Sequence, residues 1–238
     1  MEIHSKFLAG SMLLLSFAGT LTAQQPDDDN RKPFTEMLQR DQCTFSTTGR
    51  NAYFILEPGY QMVYHGTEDE ETTDLVITVS NDTKMIDHVE TRVVIEVESV
   101  NGERIEISRN FFAFCQETSS IYYFGEEVDI YKNGKIINHE GAWIAGGENK
   151  CGVDMPGLAL IGARFFQEIA PKVAMDRKEI ISIGESYTVP AGKFENCLRI
   201  METSPLEPGD IEYKVYGLGV GLLQDESAKL IRYGFVKQ

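Results

Sequence analysis

A chain of 238 residues, 42% of them apolar, is long enough for one large β-domain or two small ones and can bury a core. Its formal charge of −15 argues against nucleic acid or an anionic membrane surface as a partner and leaves cations open. The acidic runs Asp27-Asp28-Asp29 and Glu68-Asp69-Glu70-Glu71 read as a solvated tail and a solvated loop.

Residues 1–23 follow a signal-peptide pattern: Lys6, a largely apolar run over 7–21 broken by Gly10, Ser11, Ser16 and Gly19, then Ala23 before Gln24 and Gln25. Cleavage after Ala23 makes the protein exported, periplasmic or secreted. No cysteine follows that point to take a lipid anchor, and no later apolar stretch is long enough to give the mature chain a transmembrane span. Residues 24–50 read as a leader. It is polar and without periodicity up to residue 32, and 33–42 can form one or two helical turns with Phe34, Met37 and Leu38 on one side.

Residues 51–238 read as one mainly β, antiparallel domain. An extended aromatic segment, 51–57, enters a turn at Pro58-Gly59. The β-branched stretches 73–79 and 89–97 pair across Asp87-His88, and Glu96 and Glu98 alternate with Val97 and Ser99 as in a half-buried strand. Asn101-Gly102 and Asn133-Gly134 are hairpin turns, because both residue types accept the positive φ that such turns require. They connect strands at 105–114, 121–124 and 128–131, the last returning through Ile136 and Ile137. Further strands are expected at 164–169, 179–183, 187–189, 194–201 and 211–216, with Pro190-Ala191-Gly192 as a turn and 205–209 as a loop. Gly217, Gly219 and Gly221 suggest a bulge or strong curvature.

The order of these features recurs. Residues 59–125 and 162–234 match as two pseudo-repeats separated by a central segment, 126–161, and together they predict one curved sheet or flattened half-barrel. The repeats commit one face to a shared core, which leaves Glu, Lys, Thr and Ser for the outward face. Four cysteines allow three pairings. Cys43 and Cys151, both outside the repeats in loop-like contexts, are the favoured disulfide, while Cys115 and Cys197 on predicted strands read as small buried apolar residues.

Five segments together resemble a family of uncharacterised exported bacterial β-rich proteins: Asn51-Ala52-Tyr53-Phe54 with Pro58-Gly59, Tyr123-Phe124-Gly125-Glu126-Glu127-Val128-Asp129, His139-Glu140-Gly141-Ala142-Trp143, Gln167-Glu168, and residues 189–197. Ala52 stands where that pattern has proline, and His88 where it has a hairpin glycine. The resemblance brings no established activity. The expected sheet is similar to the lipoprotein-carrier type of exported fold.

No G-x-S-x-G elbow is present, and His139-Glu140-Gly141-Ala142-Trp143 has tryptophan where a zinc-binding helix needs its second histidine. The central segment, rich in glycine and holding the only tryptophan, reads as a loop folded over a site. Tyr123, Glu126, Asp129, His139, Trp143 and Glu168 would then converge on a cation or a small polar ligand. The competing reading makes Trp143 a core plug, His139 a surface residue, and Glu126 and Asp129 solvated strand ends. The expected function is a non-catalytic binding or cell-envelope accessory protein, whose partner is a small polar ligand or an envelope protein. The alternative is a metal-dependent or carboxylate-based hydrolase working around the central segment. Cofactor and metal stay undefined at this stage.

Overall fold

The described part of the leader, from residue 33 on, is built into the fold rather than appended to it. In the computed structural model, which describes residues 33–36 and 38–236, it supplies strand β1 (Phe45–Ser46) and the first arm of a small hairpin, β2 (Gly49–Asn51) with β3 (Phe54–Leu56). The predicted signal segment lies outside the described residues. The helical turns expected over 33–42 reduce to one 3-10 turn at Arg40–Gln42. Thr35 is extended instead, because its backbone is engaged by a sheet edge: its N–H donates to Arg164 O and its carbonyl accepts from Phe166 N–H, both at 2.9 Å.

A first meander follows: β4 (Tyr60–Glu68), β5 (Glu71–Ile86), β6 (Val89–Val100), β7 (Glu103–Cys115) and β8 (Ile121–Lys132). Its hairpins form where the turn chemistry put them, with φ of 45° and 65° at Asp87 and His88, and 52° and 78° at Asn101 and Gly102. The central segment is largely strand, not loop. After Asn133-Gly134 come β9 (Lys135–Asn138) and β10 (Trp143–Ile144), both paired to β8, then β11 (Lys150–Met155). Gly125 lets β10 lie close: a Cβ there would meet Trp143 O at 2.4 Å, and its φ is 129°.

Two short strands, β12 (Arg164–Phe166) and β13 (Glu168–Ile169), precede a second meander of β14 (Arg177–Val189), β15 (Gly192–Ser204), β16 (Glu207–Gly217), β17 (Gly221–Asp225) and β18 (Ala228–Phe235). The expected loop at 205–209 is tighter than read, since β16 already begins at Glu207. β18 joins β4, so thirteen strands form one antiparallel sheet running from β12 through both meanders to β13, with the β2–β3 pair as a small second sheet. Register shifts in most of these pairings bend the strands, and the sheet coils almost into a closed barrel with an open seam.

The two ends of the sheet are consecutive in the chain. β12 pairs with β14 and β13 with β11, with only Gln167 between them, so the seam is stitched by one backbone step. The leader crosses the same place. Phe34 lies under the guanidinium groups of Arg164 and Arg177, at 3.9 and 4.4 Å from its ring centre, and Glu36 pairs with Lys150 of β11 at 3.0 Å.

The disulfide joins Cys43 to Cys115, which corrects the pairing of Cys43 with Cys151. β1 lies on β7 with Phe45 opposite Cys115, and this long-range register brings the two sulfurs together. Cys151 and Cys197 are buried free thiols.

One end of the barrel is closed by apolar side chains. Tyr53, Ile55 and Leu56 of the β2–β3 hairpin pack inside it. Tyr53 Oη donates to Asn196 O at 3.0 Å, and Asn51 Nδ2 to Ser119 O and Pro156 O at 2.8 and 3.0 Å, so the hairpin reaches across the mouth. Around it stand Val79 opposite Val94, and Leu198 opposite Tyr216 opposite Leu222. Further along the same strands the inward positions become ionisable. Leu75, Glu98 and Glu106 face one another across β5, β6 and β7; Ile200, Lys214 and Asp225 do so across β15, β16 and β17.

This inverts the expected assignment of faces. Glu96 and Glu98 are buried, whereas Val97 and Ser99 are the partly exposed members of the alternation. The period of two was read correctly. Which phase points inward depends on how the sheet closes, and that is not written locally.

Candidate functional site: a charged barrel interior

Eight carboxyl side chains are buried among the described residues: Glu96, Glu98, Glu106, Glu126, Asp154, Glu168, Glu202 and Asp225. The buried ammonium groups are two, Lys178 and Lys214. Burial of so many carboxyls is costly unless each finds a partner or keeps its proton.

Part of the set is an ordered chain of ion pairs. Lys178 Nζ lies 2.6 Å from Asp154 and 3.2 Å from Glu202; Lys214 Nζ lies 2.6 Å from Glu202 and 3.6 Å from Asp225. The alternation Asp154, Lys178, Glu202, Lys214, Asp225 runs from β11 across the seam to β14 and on to β17. It therefore ties the barrel shut electrostatically where the backbone ladder is interrupted. Burial pushes the Glu202 carboxyl up, but Lys214 and Lys178 outweigh it and hold Glu202 below the usual carboxylate range. Both ammoniums keep their charge, because their carboxylate partners outweigh desolvation.

Glu126 and Glu168 differ from this chain in their hydrogen bonding. Glu126 on β8 is 0% exposed and neither carboxyl oxygen has a hydrogen-bond partner. Glu168 on β13 accepts from Asp176 N–H at 2.5 Å through Oε1, while Oε2 has no partner. Burial first, then the carboxylates of Glu106, Glu168 and Glu96, raise Glu126 well above its ordinary range. Burial likewise raises Glu96 to about 8, with Lys214 opposing, and Glu106 to about 9, with Glu98 adding to it.

Of the six residues singled out in the sequence, the structure brings Tyr123, Glu126, Trp143 and Glu168 to this interior. Trp143 stands opposite Glu126 in the β10–β8 register, and its ring meets the edge of Tyr123 at 5.3 Å. Tyr123 stacks on Phe112 at 4.9 Å and donates to Asn110 Oδ1 at 2.6 Å. Trp143 Nε1 is buried without a partner. Tyr123 and Glu126 are three apart on one strand and yet share a face, because the ladder slips between Asn110 and Phe112 where Gly125 bends β8.

Asp129 and His139 stand apart. His139 is 65% exposed and lies 3.1 Å from Asp129, which also holds Arg109 at 3.0 Å, so the three form a polar group at the rim. Residues missed in the sequence are Lys178, Lys214, Glu202, Asp154 and Asp225. A usable signal was present: Lys178 and Lys214 sit at strand positions whose second neighbours, Ile180 and Tyr216, are core residues.

Two other places carry less. An open surface cavity of about 580 Å³ is bounded by Arg40, Asp41, Phe45, Asp87, His88 and Glu90, but Arg40 is already bound to Asp87. Cys43, Cys115 and Glu117 have ligand-like spacing, yet both sulfurs are used in the disulfide.

Fold and site define a class: an antiparallel, nearly closed β-barrel with one apolar half and one charged half. No family model, no curated protein and no solved structure matches the chain.

Proposed function

We propose that the chain is an exported, non-catalytic binding protein whose ligand site is the charged half of the barrel interior and whose ligand is a cation. The observation that carries this reading is Glu126: a fully buried carboxyl group with two unpartnered oxygens, in an interior where eight carboxyls face two ammoniums. A bound cation would supply the missing counter-charge where burial makes each ion contact strong. Export is supported by the signal-peptide pattern of residues 1–23, by the resemblance of the quoted segments to exported bacterial proteins, and by the disulfide, a bond that persists in oxidising compartments. No described helix is long and apolar enough to cross a membrane.

The test is thermal unfolding of the purified protein against a panel of inorganic and organic cations and, separately, anions. A concentration-dependent rise in Tm with a cation, absent with anions and lost in Glu126→Gln, is the expected result. An equal response to anions would remove the reading. Turnover of an ester, amide or phosphoester substrate that disappears in Glu126→Gln would replace it with the hydrolase.

A further inference from the structure

The interior already shows how it holds a positive charge. Both resident cations are primary ammoniums, and each sits between two carboxylates: Lys178 between Asp154 and Glu202, Lys214 between Glu202 and Asp225. A second set of acceptors lies on β8 and at β13, the strands that flank Asp154's strand β11. Glu126 offers two oxygens, Glu168 one, and Gln167 an amide oxygen, all buried and without partners. The charge of Glu168 raises Glu126 and that of Lys178 lowers Glu168, so the two sets are electrostatically coupled.

This inference rests on the reading of the interior as a cation site. We propose that Glu126 and Glu168 take the primary ammonium group of a small amine, as a third ammonium beside those of Lys178 and Lys214. Geometry separates this ligand from its competitors. A hard metal ion draws its oxygens to about 2.0–2.6 Å, which packs them closely around one point. Among the described residues, the one group of three His, Cys, Asp or Glu ligand atoms mutually within 4.8 Å is Cys43, Cys115 and Glu117, not any set in the interior. An ammonium needs only two carboxylates, as Lys178 shows between oxygens at 2.6 and 3.2 Å. A flat guanidinium needs an aromatic face or a slot. Here the face of Tyr123 is stacked on Phe112 and its edge is taken by Trp143.

Binding has a definite proton balance. Burial first, then the charges of Glu106, Glu168, Glu96 and Asp176, raise Glu126 well above its ordinary range and so favour its protonated form. The ammonium is held by the carboxylate. The exchange is therefore R–NH3+ plus Glu126–COOH giving the R–NH3+ and Glu126 carboxylate pair plus one released H+. Affinity rises with pH until the free amine itself loses its proton, near about pH 10.

The probes are methylammonium and 1,4-diaminobutane, with tetramethylammonium as a cation of equal charge lacking N–H donors, and with Ca2+ and Zn2+. Trp143, the only tryptophan, stands opposite Glu126 and reports through its fluorescence. A saturable change with both primary amines and none with tetramethylammonium is the expected result. Affinity should fall about tenfold or more in Glu126→Gln, as for a lost charge-assisted hydrogen bond. Calorimetry in buffers of different ionisation enthalpy should count one proton released. Glu168→Gln serves as the second variant if Glu126→Gln does not fold. A response to tetramethylammonium equal to that of methylammonium would overturn the ammonium assignment, and a response to metal ions alone would overturn it while leaving the cation-binding reading in place. Silence to every cation would overturn both.

Discussion

The two halves of the barrel interior are made from the same strands and hold together for different reasons. At the hairpin end Val79, Val94, Leu198 and Leu222 pack against Tyr53 and Leu56, and cohesion comes from apolar area removed from water, which no single residue dominates. A few positions along, cohesion depends on Lys178 and Lys214, each held by two carboxylates, among five further buried carboxyls. The comparison teaches that the apolar half is held by packing and the charged half by ion pairs, beside which Glu126 has no hydrogen-bond partner. A barrel built only for stability has no use for Glu126, since an unpaired buried carboxyl destabilises the state that contains it.

The sharpest way to break the contrast is to remove one cation. Lys178→Ala strips the ammonium from Asp154 and leaves Glu202 with Lys214 alone, and urea unfolding should show a loss of roughly 3–5 kcal/mol, as for a buried pair deprived of one member. A loss under about 1 kcal/mol, the scale of an exposed pair, would mean that water reaches the charged half freely. The smallest expected effect is at the rim. His139→Ala should change stability by no more than about 1 kcal/mol and leave any ligand response intact, because His139 is mostly exposed and Asp129 retains Arg109. If His139→Ala abolished the response to cations, the site would lie at the rim rather than inside.

Much of the fold was legible because turns are local chemistry. Asn101-Gly102 and Asn133-Gly134 could be placed from residue type alone, and the strands they join followed. What was hidden depends on closure. Glu96 and Glu98 alternate with Ile95 and Val97 whichever face is inside, so the pattern gave the strand and the wrong surface. The disulfide was hidden for the same reason: the register of β1 on β7, set across 72 residues, decides that Cys43 meets Cys115. Within the site, Tyr123, Glu126 and Trp143 lie close in sequence on β8 and on β10, which pairs with it, so their convergence could be anticipated. Lys178 and Glu202 come from β14 and β15, and only the barrel brings them within electrostatic reach of Glu168.

The central claim, that the charged half is dry and holds surplus protonated carboxyls, is tested most directly by stability against pH. Glu96 and Glu106, raised to about 8 and about 9 in the folded protein, ionise near their ordinary 4.5 once unfolded. Between those values the folded state binds more protons than the unfolded one. Their contribution is complete below the ordinary value and is lost as pH rises through the raised ones. Glu202, held low by Lys214 and Lys178, works in the opposite sense and is lost only in acid below the ordinary range. The urea midpoint should accordingly be higher at about pH 5.5 than at about pH 8.5 in ligand-free protein, and the difference should shrink in Glu106→Gln. A midpoint that is unchanged or higher at about pH 8.5 would contradict the account.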